Sequence, residues 1–214
     1  MLCWSCTENY KIADLPRGFL TSGPAFIDEN LPAEAMALLP SGDGTRGLLE
    51  SLARQPELAD NHGIGLFMCD PFVNQEQVMR LFERINLGWV ANLPSLAQHD
   101  DSMRRQLQDV GFSVEAELQK LYSYRSAGFK TLAVISGVEQ VEYLARYPAD
   151  CALVVQTISE LQVSFPSLTQ RMRILRAVQQ EFEIHSLSLP VLPVVTERDS
   201  LDEGISGLVR PGFC

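Results

Sequence analysis

Apolar and polar positions along the chain follow two periods in turn. Short apolar runs near residues 64–69, 89–93, 130–135, 151–155 and 189–195 have the length of strands covered on both faces. Between them apolar residues recur at helical spacing. Val78, Leu81, Phe82 and Ile85 make one stripe, Val114, Leu118, Leu121 and Tyr122 a second, and Val141 with Leu144 a third. Leu168, Met172, Leu175, Val178 and Phe182 make the longest. An earlier helix is predicted after Pro40-Ser41-Gly42, capped by Asp43, with Leu48, Leu49 and Leu52 facing inward. Runs at 2–6 and 207–210 bring the strand-like stretches to seven. The segment 95–109 reads as an exposed polar loop leading into a short helix, and TISELQ (157–162) as a polar loop. Residues 7–33, broken by Pro16, Gly18, Gly23, Pro24 and Pro32, read as an irregular segment.

Strands and helices that alternate this regularly predict an α/β fold with a parallel sheet. Two architectures fit, an open doubly wound sheet and a (β/α) barrel. Gly42, Gly44 and Gly47 spell a GxGxxG, but no clear strand precedes them, and Asp43 inside the loop would repel a pyrophosphate. The prediction is therefore a TIM-type (β/α) barrel, incomplete with about seven strands, in a single domain over residues 1–214. Barrels of this type keep their chemistry where strands end, which singles out Asp70 and Asn92.

Composition narrows the partners. With 46% hydrophobic and 21% charged residues the chain is ordinary for a soluble globular protein. Its net charge of −10, from 27 acidic against 17 basic residues, predicts neither a nucleic-acid nor a membrane partner. No apolar run approaches the ~18 residues of a membrane span, and the start lacks the pattern of a secretory signal. Five scattered cysteines suit reduced thiols, so a cytoplasmic protein is expected. Cys3 and Cys6 form a CxxC without a second ligand pair nearby, and buried or incidental thiols are the plainer reading.

Four motifs in order carry a family resemblance: LLPSGDGT (38–45), CDPF (69–72), VANLPSLAQHDDSMR (90–104) and GFSVEAEL (111–118). They resemble the LLPYGDAN, TDPF, QNFPTVGLIDGxFR and GMGYxLEVEM motifs of the phosphoenolpyruvate hydrolase-like TIM-barrel family. The likeness is good over about residues 38–156 and weak beyond. It implies membership of the broader phosphoenolpyruvate/pyruvate-binding barrels, which act on small 2-oxo acids or enol phosphates through a divalent metal. On that resemblance Asp43 and Asp70 would be Mg²⁺ ligands, suited as hard oxygens. Asn92 would bond a substrate oxygen, and Glu115 would orient a water or act as base. The implied activity is that of a metal-assisted lyase or hydrolase with a 2-oxo acid or phosphoenolpyruvate-like ligand.

The chain also departs from the family pattern. The glycine-rich first strand and helix of the family have no counterpart, so a seven-stranded barrel would expose an edge, for which a homo-oligomer is the expected cover. Val155 and Thr157 stand where the family has histidine and glycine, and Ser136 where it has asparagine. The histidine-glycine motif after the seventh strand is missing near Val194. With three lysines in the chain, and Lys130 at a strand start, Schiff-base chemistry is poorly supported. A degenerate barrel with a binding or accessory role is accordingly the alternative to the enzyme.

Overall fold

A computed structural model describes the backbone at residues 2–7, 18–20, 44–54, 62–196, 199 and 207–211. Its strands are β1 (Leu2–Thr7), β2 (Gly18–Leu20), β3 (Gly63–Gly65), β4 (Trp89–Ala91), β5 (Lys130–Ile135), β6 (Cys151–Val154), β7 (Val191–Pro193) and β8 (Gly207–Pro211). Its helices are α1 (Gly44–Leu52), α2 (Gln75–Arg84), α3 (Asp101–Asp109), α4 (Val114–Ser126), α5 (Val141–Arg146), α6 (Ile158–Val163) and α7 (Leu168–Ile184). All eight strands form one sheet in the order β7-β6-β5-β4-β3-β2-β1-β8, and every ladder is parallel. β7 and β8, the two ends of that order, also touch.

Period-2 alternation divides the apolar side chains between two faces. Ile64, Val90, Ala133, Ile135, Ala152 and Val154 pack with Val78, Phe82, Leu118, Leu121, Leu175 and Val178 from α2, α4 and α7. Ala91, Leu93, Leu132, Val134, Leu153, Val155, Leu192 and Val194 make a second cluster on the opposite face. Leu161 of α6, fully buried, closes onto that second cluster together with Ile158 and Phe165.

Local chemistry explains where the helices start. Asn74 caps α2, Asp100 caps α3, Ser113 caps α4 and Ser167 caps α7, each side chain accepting a backbone N–H of the first turn. Thr157 and Glu160 exchange bonds in a capping box at α6.

Several expectations are corrected. Among the described residues the sheet has eight strands, where about seven were expected, because Gly18–Leu20 pairs with β1 and β3 inside the segment expected to be irregular. The exposed edge that argued for a second copy therefore loses its basis in the strand count. TISELQ is helical rather than a loop. Leu96–Gln98 is a buried 3-10 turn rather than exposed polar chain, and His99 after it is half-buried. On α4 the buried aromatic residue is Tyr124, which meets Phe82 and Phe129, whereas Tyr122 is exposed. Asp43, Cys3 and Cys6 fall on positions whose side chains lie outside the described residues, as does most of 7–33.

Candidate functional site

β3 and β4 are neighbours, and the chain leaves each of them through a polar residue picked out by the motifs. The turn after β3 carries Asp70. The ladder extends to Leu66, whose N–H donates to Ala91 O at 2.8 Å, and the chain then turns over Phe67 and Asp70. The Asp70 carboxylate accepts the Phe72 N–H at 2.9 Å and is half-exposed. It borders a small cleft of about 50 Å³ with Phe67, Gln75, Lys120 and Tyr124. On its other side lies a groove of about 300 Å³ between α1 and α2, where Arg46, Glu50 and the exposed Phe72 also line the wall. Glu50 there is paired with Arg46, and Lys120 Nζ donates to Met68 O at 2.9 Å.

Asn92 sits in a different setting. It continues the alternation set by Val90, so its side chain turns toward the helix layer and away from the face lined by Ala91 and Leu93. Fully buried, it accepts the Val134 N–H at 2.7 Å and donates to Val134 O at 3.1 Å and to Ser95 Oγ at 3.2 Å. Its amide thereby copies a backbone pairing and extends the β4–β5 ladder where the strand itself has stopped. Ser95 Oγ donates to Glu117 Oε2 at 2.7 Å, and the Leu96 N–H reaches both Glu117 oxygens at 3.2–3.3 Å. Gln98, also fully buried, accepts the Ser95 N–H at 3.0 Å. The result is a polar knot of Asn92, Ser95, Gln98 and Glu117 with no exposed member.

Glu117 is the member that the motif reading passed over. Burial pushes its carboxyl up to about 8, against the bonds from Ser95, Asn92 and Leu96 that pull it down. Its helical position was a usable signal: Val114, Glu117, Leu118, Leu121 and Tyr124 share one face of α4. Glu115, two residues earlier, points elsewhere and pairs with Arg146 of α5. It lines a cleft of about 250 Å³ between α3, α4 and α5 with Arg104, Arg105, Glu139 and Tyr143. The structure thus brings Asn92 together with Glu117, while Asp70 and Glu115 line separate clefts.

The ends of β5, β6 and β7 carry apolar side chains, polar groups bonded within the fold, and one buried unpaired amide oxygen. Ser136, after β5, donates its hydroxyl to Ala97 O. Val155, after β6, is buried in the second cluster, and Gln156 beside it is buried with its side-chain oxygen unpaired. After β7, Arg171 of α7 donates to Val194 O and Pro166 O and makes a two-bond ion pair with Asp199 at 2.9 Å. That clamp is nearly inaccessible to water, with 3% and 10% side-chain exposure, so removing either partner would leave a buried charge uncompensated.

A divalent metal wants several hard oxygens around one point. Among the described residues no group of three or more His, Cys, Asp or Glu side chains gathers to hold one. Asp70 has Glu50 across its groove, already spent on Arg46. The described residues therefore do not by themselves fit a Mg²⁺ site. No described helix is long and apolar enough to cross a membrane.

Comparison with known proteins agrees with the fold and stops short of an activity. No family model matches the chain. A curated relative, the uncharacterized protein y4oT of Sinorhizobium fredii (strain NBRC 101917 / NGR234), is 32% identical over 102 residues, 48% of this chain. The chain spans about half of that relative, 52% of its length. Among solved structures, that of a "putative phosphonomutase" from Burkholderia cenocepacia J2315 superposes with a TM-score of 0.53 at 13% identity. It covers 98% of this chain and 86% of the other. The chain shares the parallel α/β fold of that structure along nearly its whole length, the fold that the motif resemblance to phosphoenolpyruvate/pyruvate-type barrels implies.

Proposed function

We propose that the chain is a barrel of the phosphoenolpyruvate/pyruvate type in a binding or accessory role, with its surviving motif residues retained as scaffold. Contact between β7 and β8 at the two ends of the sheet order supports closure into a barrel. The observation that carries the functional reading is the closed knot at the end of β4. Asn92, the residue expected to touch substrate, spends its amide on Val134 and Ser95, and the nearby carboxylate, Glu117, is enclosed with it. Glu115, the expected base, is paired with Arg146. On the sheet face opposite α2, α4 and α7, Leu93, Val155, Val194 and Leu161 of α6 fill the region near the ends of β4, β6 and β7. Groups that hold a fold in this way do not need a substrate to explain them.

A second reading is the metal-assisted lyase or hydrolase, and Asp70 favours it. Its carboxylate is partly open to solvent at the end of β3. On that reading Asp70 and Asp43 would be the residues to hold Mg²⁺, which would supply Lewis-acid chemistry toward a small 2-oxo acid or enol phosphate. The chain's own part would be to hold that carboxylate through the Phe72 N–H.

One experiment separates the two. Purified protein is assayed for turnover of phosphoenolpyruvate and oxaloacetate with and without Mg²⁺, with binding followed by calorimetry. The accessory reading expects no turnover in either condition. Mg²⁺-dependent turnover that Asp70→Asn abolishes would establish the enzyme instead.

A further inference from the structure

The knot at the end of β4 turns on one hydroxyl. Ser95 Oγ lies 2.7 Å from Glu117 Oε2, 3.1 Å from the Ala97 nitrogen, 3.2 Å from Asn92 Nδ2 and 3.3 Å from Val134 O. A serine hydroxyl has one proton to give and two lone pairs to fill. With Glu117 ionised the count closes. Ser95 gives its proton to the carboxylate, and its lone pairs take the Ala97 N–H and the Asn92 amide. With Glu117 protonated the count fails. The new carboxyl O–H must donate, and the oxygen it already meets is Ser95 Oγ. Ser95 then sends its own proton to Val134 O and releases one of the two incoming N–H groups. Asn92 keeps Val134 O as a second partner at 3.1 Å. The Asn92 amide is therefore the one that gives way, while the Ala97 N–H, which Ser95 holds as the cap of the Leu96–Gln98 turn, is kept in both states.

We propose that Glu117 and Ser95 form a proton-coupled switch, in which one proton at the Glu117 carboxyl reverses the Ser95 hydroxyl from Glu117 toward Val134 O and so grips or releases the Asn92 amide at the end of β4. The switch operates whether or not the barrel turns over a substrate. Two opposed forces keep both states within reach: burial favours the neutral acid, and the Ser95 and Leu96 donors favour the carboxylate.

The neighbouring titratable groups leave that balance to Glu117. Cys69, from the turn after β3, has its thiol pushed up to about 12 by burial first and by the charge of Glu117 second, with Lys120 opposing, so it stays neutral. Burial holds His99, at the end of the turn, below its ordinary value, so it is neutral over the alkaline range. Lys120 is bonded to Met68 O, Glu115 to Arg146 of α5, and Arg104 of α3 to Asp101 and Glu139. Asp100 is spent as the cap of α3.

Amide spectra recorded across about pH 5 to 10 test the switch, with the Glu117 carboxyl carbon followed alongside. In the wild-type chain the Asn92 side-chain amide and the Leu96 and Val134 backbone amides are expected to move on one curve, with its midpoint well above the ordinary carboxylate range. In Glu117→Gln they stay flat. In Ser95→Ala the Glu117 carboxyl still titrates, but Val134 no longer follows it. Wild-type amides that do not move, a midpoint near that of a free glutamate, or movement that persists in Glu117→Gln would each overturn the proposal. If Glu117→Gln does not fold by circular dichroism, the wild-type and Ser95→Ala curves decide it alone, and a Val134 amide that still tracks Glu117 in Ser95→Ala sinks it.

Discussion

Two adjacent strands, β3 and β4, each lead into a polar residue that the motifs mark, and the structure treats those residues in opposite ways. Asp70 lies five residues beyond Gly65, in a turn at the surface, held by the neighbouring Phe72 N–H. Asn92 follows Ala91 directly, while the chain is still extended, so the pleat aims its side chain into the layer between sheet and helices. There a side-chain amide is tolerated only if its donors and acceptors are met, and Val134 and Ser95 meet them. Distance from the last paired residue therefore separates a group that stays open to solvent from one that becomes part of the frame. A match to a strand-end motif does not distinguish the two.

Substitutions sharpen that contrast. Asn92→Ala strips the Val134 N–H and the Ser95 hydroxyl of a buried partner, and is expected to cost about 2–4 kcal/mol in a urea unfolding titration. A loss under about 0.5 kcal/mol would mean the knot is not holding β4 to β5. Glu117 is next, and its effect is read through pH. Its carboxyl is raised by burial to about 8 in the folded chain from an ordinary 4.5. The folded state therefore binds that proton more tightly than the unfolded one. The stability it brings is complete below about pH 4.5 and is lost as pH rises through about 8. Glu117→Gln should remove that slope, and a wild-type midpoint that does not fall relative to the variant over this window would contradict it.

Smaller effects are expected outside the knot. Glu115→Gln breaks a half-exposed pair with Arg146 and should cost less than about 1 kcal/mol, shrinking further in high salt. Asp70→Asn should be the mildest, within about 0.5 kcal/mol in thermal melts, since it touches one exposed backbone bond. If it proves as costly as Asn92→Ala, the contrast between the two strand ends collapses.

Much of the fold was legible because its signals are local. The stripes on α2 and α7 and the apolar runs at β5 and β6 were read from periodicity, and the helices lie where the stripes put them. β2 was missed because Gly18–Leu20 is three residues long among prolines and glycines, and pairs with segments distant in sequence. α6 was passed over for its polar composition, although Thr157 and Glu160 spell a capping box. The motif points to Glu115, whereas the helical face drawn by Val114, Leu118 and Leu121 points to Glu117.

By itself the sequence determined the alternation of strand and helix, the caps, and which residues were polar at strand ends. These depend on neighbours a few positions away, and their periods are written in the chain. The tertiary structure alone decided what those polar residues face. Val134 lies 42 positions from Asn92, and Glu117 lies 22 from Ser95. Whether a carboxylate is enclosed or open depends on partners brought from that far, and it is those partners that join Asn92, a substrate contact on the motif reading, to Glu117 in a buried polar knot.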